Sequence, residues 1–298
     1  MPSVFGSNPR RREIALTDRE LAALCADAAA RFDELPLVHR GHSAELRRTA
    51  VPGILIQRLI PSLNSISRRR RGSVEGTARL RQEISRVLLS RWHAAGLATC
   101  HLACDDGDEH GGGDGDGGGG MLIAEERIPP VEVIVKAALI GTPARIYHGL
   151  LERTDRFGHP FTQHAAHEPY VRFDYRNPLH DAAGEHLRDE CMPTALADRL
   201  IDTRQAAETA LRGFAVIQQA LRSVQLDVLD VCFIFDVSGR VLCYELSPDN
   251  MRVKRAGWAQ NPRADDEFDK DLWRDGADGA RLREQWAQLG AYLSRLDE

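Results

Sequence analysis

Apolar positions recur along the chain with two periods, and the switches between them outline the elements. Leu21, Leu24, Cys25, Ala28 and Phe32 repeat at helical spacing behind a Thr17-to-Glu20 capping box, which predicts a first helix with one apolar stripe. Leu37 to Arg40 and Gly53 to Ile60, the latter with Ile54, Leu55 and Ile56, are short β-rich runs. Residues 77 to 95 return to helical spacing, with Leu80, Ile84, Leu88 and Trp92 on one face and Gly96 as the stop. Met121 to Ile123 and Val131 to Val135 read as buried strands, the second nearly continuous in β-branched residues. A long helical pattern covers 194 to 223 through Leu196, Leu200, Ala207, Leu211, Phe214, Ile217 and Leu221. Strands at Val228 to Phe235 and Val241 to Leu246 follow, joined by a turn at Asp236 to Gly239, and a last helix runs from Gly279 to Leu296. Strands and helices mix without a regular βαβ repeat, so the fold class is α+β rather than doubly wound.

The interruptions carry their own readings. Residues 1 to 13 are polar and basic and are expected to be disordered. The tract 104 to 120, CDDGDEHGGGDGDGGGG, cannot bury a core and is expected to be a floppy, solvated insertion between two strands. Its aspartates lack the regular ligand spacing and closing glutamate of a calcium loop. The run Arg68 to Arg71 could grip phosphate, but such a run is more often a solvated, mobile loop.

With 298 residues, 43% of them apolar, the chain can bury a core as one large or two intimate domains. A net charge of -5 gives no general reason to bind a nucleic-acid polymer or an anionic membrane, and no apolar stretch approaches the ~20 residues of a membrane-spanning helix. The six cysteines are scattered, which points to reduced thiols and the cytoplasm. Cys100, His101, Cys104 and His110 match no common structural-zinc spacing, and no metal ligand is assigned.

Three segments carry a resemblance: IPPVEVIVKAALIGTPARIY at 128 to 147, LCYELSPDNMR at 242 to 252, and DDEFDKDLWR at 265 to 274. In order and spacing they resemble the SAICAR synthetase family of purine biosynthesis. The resemblance implies a small N-terminal β-rich domain, a larger C-terminal α+β domain and an active site in the cleft between them. On this sequence that gives an extension with one helix at 1-35, a nucleotide-binding-like domain at 36-127 and a substrate domain at 128-298. It also implies a phosphoribosyl imidazole or purine-type nucleotide as partner, and a reaction in which ATP and magnesium drive amide formation between an imidazole carboxylate and aspartate.

The family's 5′-phosphate ligands fall on Lys136, Thr142 and Arg252, so cation, hydroxyl and guanidinium are each preserved. Gly141, Arg145, Ser247, Asp249 and Lys270 belong to the same substrate-binding motifs. The ATP side departs from the pattern. Arg40-Gly41-His42 stands where the family has Glu-Gly-Lys, leaving Gly41 and His42 as the remnant of the cofactor loop. The two acids that the family places around magnesium fall on Ile234 and Tyr244, neither an anionic oxygen donor. Asp230 and Glu245 are the candidate general acid and base, with hydrogen-bonded structural carboxylates as the competing reading.

These changes imply an enzyme that remodels a nucleotide with little or no conventional ATP use. Relatives of this kind occur in coformycin and pentostatin pathways, where a 1,3-diazepine ring is formed. An ATP- and magnesium-dependent amide ligase and a non-catalytic nucleotide-binding protein are the alternatives, and a homo-oligomer is compatible with each.

Overall fold

The computed structural model describes residues 5–65, 68, 70–105, 119–182, 184 and 187–297. Helix α1 (Asp18–Ala30) opens on the expected capping box, in which Thr17 and Glu20 each accept from the other's backbone N–H. It covers one face of a five-stranded antiparallel sheet of order β1 (Leu37–Arg40), β2 (Ala44–Arg48), β3 (Ile54–Leu59), β8 (Met121–Ala124) and β7 (His101–Cys104). Leu21, Cys25, Ala28 and Phe32 of the α1 region pack on Ile54, Ile56, Leu102 and Leu122, the alternate residues of those strands. The opposite face sets Leu55 and Ile123 against Cys100 and Cys243.

The second sheet is also antiparallel, of order β11 (Glu190–Cys191), β10 (Ala166–Tyr175), β9 (Val131–Ala138), β12 (Leu226–Phe233) and β14 (Met251–Arg255). Val131, Val133, Val135, Phe173, Val231, Phe233 and Val253 bury one face against Phe214, Ile217 and Leu221 of α5 (Thr203–Ser223) and Trp92 of α2 (Thr77–Ala94). A β-carbon at Gly213 would sit 1.8 Å from the Trp92 ring, so α5 needs glycine there for α2 to approach. Helix α7 (Gly279–Ser294) closes this core through Leu289 and Leu293. Because side chains alternate along a strand, the other face carries Tyr170, Arg172 and Asp174, then Glu132, Ile134 and Lys136, then Asp230, Cys232 and Ile234, then Arg252 and Lys254. That face is polar, and it positions the site.

Several expectations change. Phe5 is buried in the main core, and Asn8 is fully buried, its amide donating to the carbonyls of Thr99 at 3.0 Å and His101 at 2.7 Å. The N-terminal segment from residue 5 is therefore docked rather than disordered. The pattern at 194 to 223 is two helices, α4 (Thr194–Ala197) and α5, because the Asp202 carboxylate caps a new helix by accepting from Gln205 N–H at 2.9 Å. The turn at Asp236 to Gly239 forms and brings the chain back antiparallel to the segment just after β12, bridging Phe235 to Leu242, while β13 (Val241–Leu242) also pairs in parallel with β6 (Ala98–Thr99). Arg70 and Arg71 begin strand β5 (Arg70–Ser73), paired with β4 (Ser62–Ser65). Arg68 meets Asp275 at 2.8 Å, and the Arg70 guanidinium lies 4.5 Å from the Trp273 ring centroid while donating to Ala277 O at 3.0 Å. Those arginines hold the hairpin to the stretch around α6 (Asp271–Arg274). The low-complexity tract does join β7 to β8, where Asp105 N–H donates to Gly120 O at 2.8 Å, but its residues 106 to 118 lie outside the described residues, as does His110.

Candidate functional site

Four neighbouring strands place one residue each in a row across this polar face, where Lys136 and Asp230 are buried and Tyr170 is exposed. Tyr170 lies opposite Lys136, Lys136 opposite Asp230, and Asp230 opposite Arg252. Directly opposite residues are about 5 Å apart, so the row is continuous. Asp230 Oδ2 accepts from both Lys136 Nζ and Arg252 Nη1, the latter at 2.6 Å. Arg252 also grips Asp271, donating through Nε at 2.6 Å and Nη2 at 3.3 Å, and Asp271 Oδ1 accepts from Arg274 at 2.7 Å. Gly141 follows β9 with φ +69, and a β-carbon there would lie 2.8 Å from Arg252 Nη1. Only glycine lets the backbone rest against that guanidinium. Thr142 and Arg145 lie in the short helix α3 (Thr142–Ile146) that starts at this point, but their side chains lie outside the described residues.

The electrostatics of the row follow from burial against pairing. Burial alone would raise the Asp230 carboxyl, but Arg252 and Lys136 together hold it below the usual carboxylate range. Burial also lowers the Lys136 ammonium, against the pull of Asp230. Arg252 is held firmly charged because Asp230 and Asp271 outweigh its burial. An ionised, hydrogen-bonded set of this kind can exchange an internal carboxylate contact for a phosphate oxygen, since guanidinium and ammonium bind both.

The opposite end of the open face is built differently. Cys243 N–H donates to Ile234 O at 2.8 Å, which brings residues 243 to 247 alongside the end of β12. There the Tyr244 hydroxyl meets Ser43 Oγ at 2.8 Å. Arg81 of α2, fully buried, donates to Glu245 Oε1 at 2.6 Å, Ile60 O at 3.0 Å and Ser43 O at 3.4 Å. Ser247 Oγ donates to the same Glu245 oxygen at 2.7 Å, and Lys270 Nζ meets Asp249 at 2.8 Å. The segment after Gly41 and His42 is thereby tied to Glu245 through one guanidinium and to Tyr244 through the Ser43 hydroxyl. Burial pushes the Tyr244 phenol well up, with Glu245 and Asp249 adding to it.

The geometry can now be set beside known proteins. The SAICAR synthetase family model matches residues 40–289, most of the chain. The chain belongs to the SAICAR synthetase family. A curated relative from Cordyceps militaris, "Bifunctional cordycepin biosynthesis cluster protein 3", is 26% identical over 269 residues, covering 79% of this chain but only 29% of that longer protein. The phosphoribosylaminoimidazole-succinocarboxamide synthase of Anoxybacillus flavithermus is 26% identical over 267 residues, 87% of this chain and 95% of the relative. In fold, the chain superposes on the crystal structure of the Ehrlichia chaffeensis synthase with a TM-score of 0.67 at 15% identity, covering 87% and 98% of the two chains. The α+β class and the resemblance stand, and the protein is an enzyme of SAICAR-synthetase-like type.

Placed on this family fold, the sequence candidates separate into two groups. Lys136, Gly141, Asp230 and Arg252 converge at one end. Glu245, Ser247, Asp249 and Lys270 gather with Tyr244 at the other, beside the Gly41–His42 loop. Sequence reasoning did not single out Asp271, although it lies in the 265 to 274 motif beside Lys270, nor Ser43 and Arg81, which belong to no local motif and join the site only through contacts such as the 164-residue separation of Arg81 and Glu245. Arg81 alone left a trace, as a charged residue one position from the apolar face of a helix that packs on both sides.

Proposed function

We infer that this enzyme acts on a phosphoribosyl imidazole or purine-type nucleotide and carries out a carbon–nitrogen bond or ring-forming step in purine-derived nucleoside biosynthesis, with little or no conventional ATP use. A 1,3-diazepine product of the coformycin and pentostatin type is the specific reading. The observation that carries it is the contrast between the two ends of the open face. At one end Lys136, Gly141 and Arg252 meet around Asp230, where a 5′-phosphate would displace the carboxylate contacts and lie against the backbone that leads to Thr142. Lys136 and Arg252 would then orient the ribose and heterocycle along the sheet, with Asp271 keeping the Arg252 guanidinium aimed.

Magnesium ATP does not fit the other end. Magnesium takes hard oxygen donors, one or two of them protein carboxylates beside water and phosphate, whereas Ile234 is apolar, the Tyr244 phenol is bonded to Ser43, Asp249 is paired with Lys270, and Glu245 is held by Arg81 through Oε1 with only Oε2 left over. In this reading Asp230 and Glu245 serve first to hold cations. The cordycepin-cluster name of one relative favours a nucleoside pathway. The amide-ligase alternative draws on the near full-length match to the Anoxybacillus synthase. Turnover assays with an imidazole ribonucleotide carboxylate, aspartate and magnesium ATP test the choice: ADP and a succinyl-carboxamide product would establish the ligase, and their absence despite tight nucleotide binding supports ATP-independent chemistry.

A further inference from the structure

Between the two ends of the open face lies a cluster that neither uses. Asp230, Cys232 and Ile234 follow one another along that face of β12, from the phosphate row to the end beside Cys243. Glu132, Ile134 and Lys136 run alongside on β9, with Cys232 directly opposite Ile134, so Glu132 is its diagonal neighbour. The Glu132 carboxyl and the Cys232 thiol are electrostatic neighbours, and both residues are partly exposed while Val131, Val133 and Val231 beside them are buried. Four residues separate Glu132 from Lys136, about 13 Å of strand at ~3.3 Å per residue. That is comparable to the reach of a ribonucleotide from its 5′-phosphate to its heterocycle.

We propose that Glu132 is the residue that exchanges a proton with the heterocycle of the bound nucleotide, with Cys232 positioning its carboxyl. The proposal rests on the phosphate assignment to Lys136 and Arg252. The surroundings suit the role: burial pushes the Glu132 carboxyl up to about 7, the carboxylates of Asp189 and Asp174 push the same way, and Arg176 and the Cys232 thiol only partly oppose them. Near neutral pH such a group exists in both protonation states, as acid–base exchange requires. In the step, the carboxyl O–H bond breaks, the proton passes to a ring or exocyclic heteroatom, and the electron pair stays on the carboxylate. The reverse transfer restores the acid, and no other reactant is consumed.

The test is titration calorimetry with 5-aminoimidazole-4-carboxamide ribonucleotide from about pH 6 to 8, in buffers of different ionisation enthalpy. A heterocycle that accepts from the acid form raises the Glu132 pKa, so wild-type affinity is fully present below about pH 7 and falls as pH rises, by up to tenfold per unit, relative to Glu132→Gln. Wild type takes up protons on binding in that range, and Glu132→Gln takes up none. Cys232→Ala should move the midpoint, and Cys232→Ser should restore it, which a merely space-filling residue would not do. An infrared titration of the wild-type carboxyl band against Glu132→Gln gives the same answer without nucleotide and covers a variant that fails to fold. Superimposable pH profiles, or no carboxyl band titrating near neutrality, would overturn the proposal. Full affinity in Arg252→Ala would instead overturn the phosphate assignment beneath it.

Discussion

The two ends of the open sheet face are made of the same groups, lysine or arginine against aspartate or glutamate, yet they differ in what the cations can still reach. At the proposed phosphate end Lys136 and Asp230 are buried as well, but Arg252 stays partly exposed, lies against a glycine backbone and shares carboxylates that a ligand could replace. At the other end Arg81 is fully buried and closed in by Glu245 and two backbone carbonyls, with Tyr244 capping the neighbouring Ser43. An ion pair open to ligand is a binding device, whereas one sealed from water is structural, because removing either partner leaves a buried charge uncompensated. The difference separates a group that a ligand could contact from one that the fold itself uses.

The largest effect is expected at the sealed end. Glu245→Ala should lower unfolding free energy by about 3–5 kcal/mol in denaturant titrations, since it strands the Arg81 guanidinium. A loss below about 1 kcal/mol would mean that water reaches Arg81, and the contrast would collapse. At the open end the effect should appear in binding. Arg252→Ala should weaken a ribonucleotide 5′-phosphate by more than about tenfold, or 1.4 kcal/mol, by calorimetry, because charge-assisted bonds to phosphate are the strong ones. Unchanged affinity would remove the phosphate site.

The grouping of Lys136, Gly141 and Arg252 was readable because each sits on a short motif: the strand to Lys136, the turn at Gly141, and the segment that ends in Arg252. Elements whose patterns are local were also readable. The capping box of α1, the stripe of α2 with its Gly96 stop at φ 73, and the β-branched run of β9 all form near the expected bounds. Strand β10 was missed because Ala166 to Tyr170 are exposed and show no alternation, and β2 because its charged residues satisfy solvent and neighbours rather than a core. The turn after β12 correctly pointed to the antiparallel contact of Phe235 with Leu242, but the parallel pairing of β13 with β6 joins residues more than 140 positions apart and left no local signal. Arg81 was silent for the same reason: its importance lies in what surrounds it in space.

Smaller effects sharpen the contrast. Tyr244→Phe removes one hydrogen bond to Ser43 and should cost about 1 kcal/mol of stability while leaving ribonucleotide affinity unchanged. A change in nucleotide affinity would show that the sealed end touches substrate. Replacing residues 106 to 118 by a short glycine-serine turn should alter melting temperature least, since the composition offers no apolar surface and loop closure varies slowly with length. A large loss would show that the tract contributes packing between β7 and β8.

The central claim is that one end of the face binds ligand and the other does not. Thermal unfolding monitored with millimolar magnesium ATP, and separately with an imidazole ribonucleotide 5′-phosphate, tests it most directly, because a ligand present at a hundred times its dissociation constant adds about 2.7 kcal/mol to stability. The account predicts a clear rise in melting temperature with the ribonucleotide and none with magnesium ATP. Stabilisation by magnesium ATP of that size, with ADP formed on turnover, would contradict it.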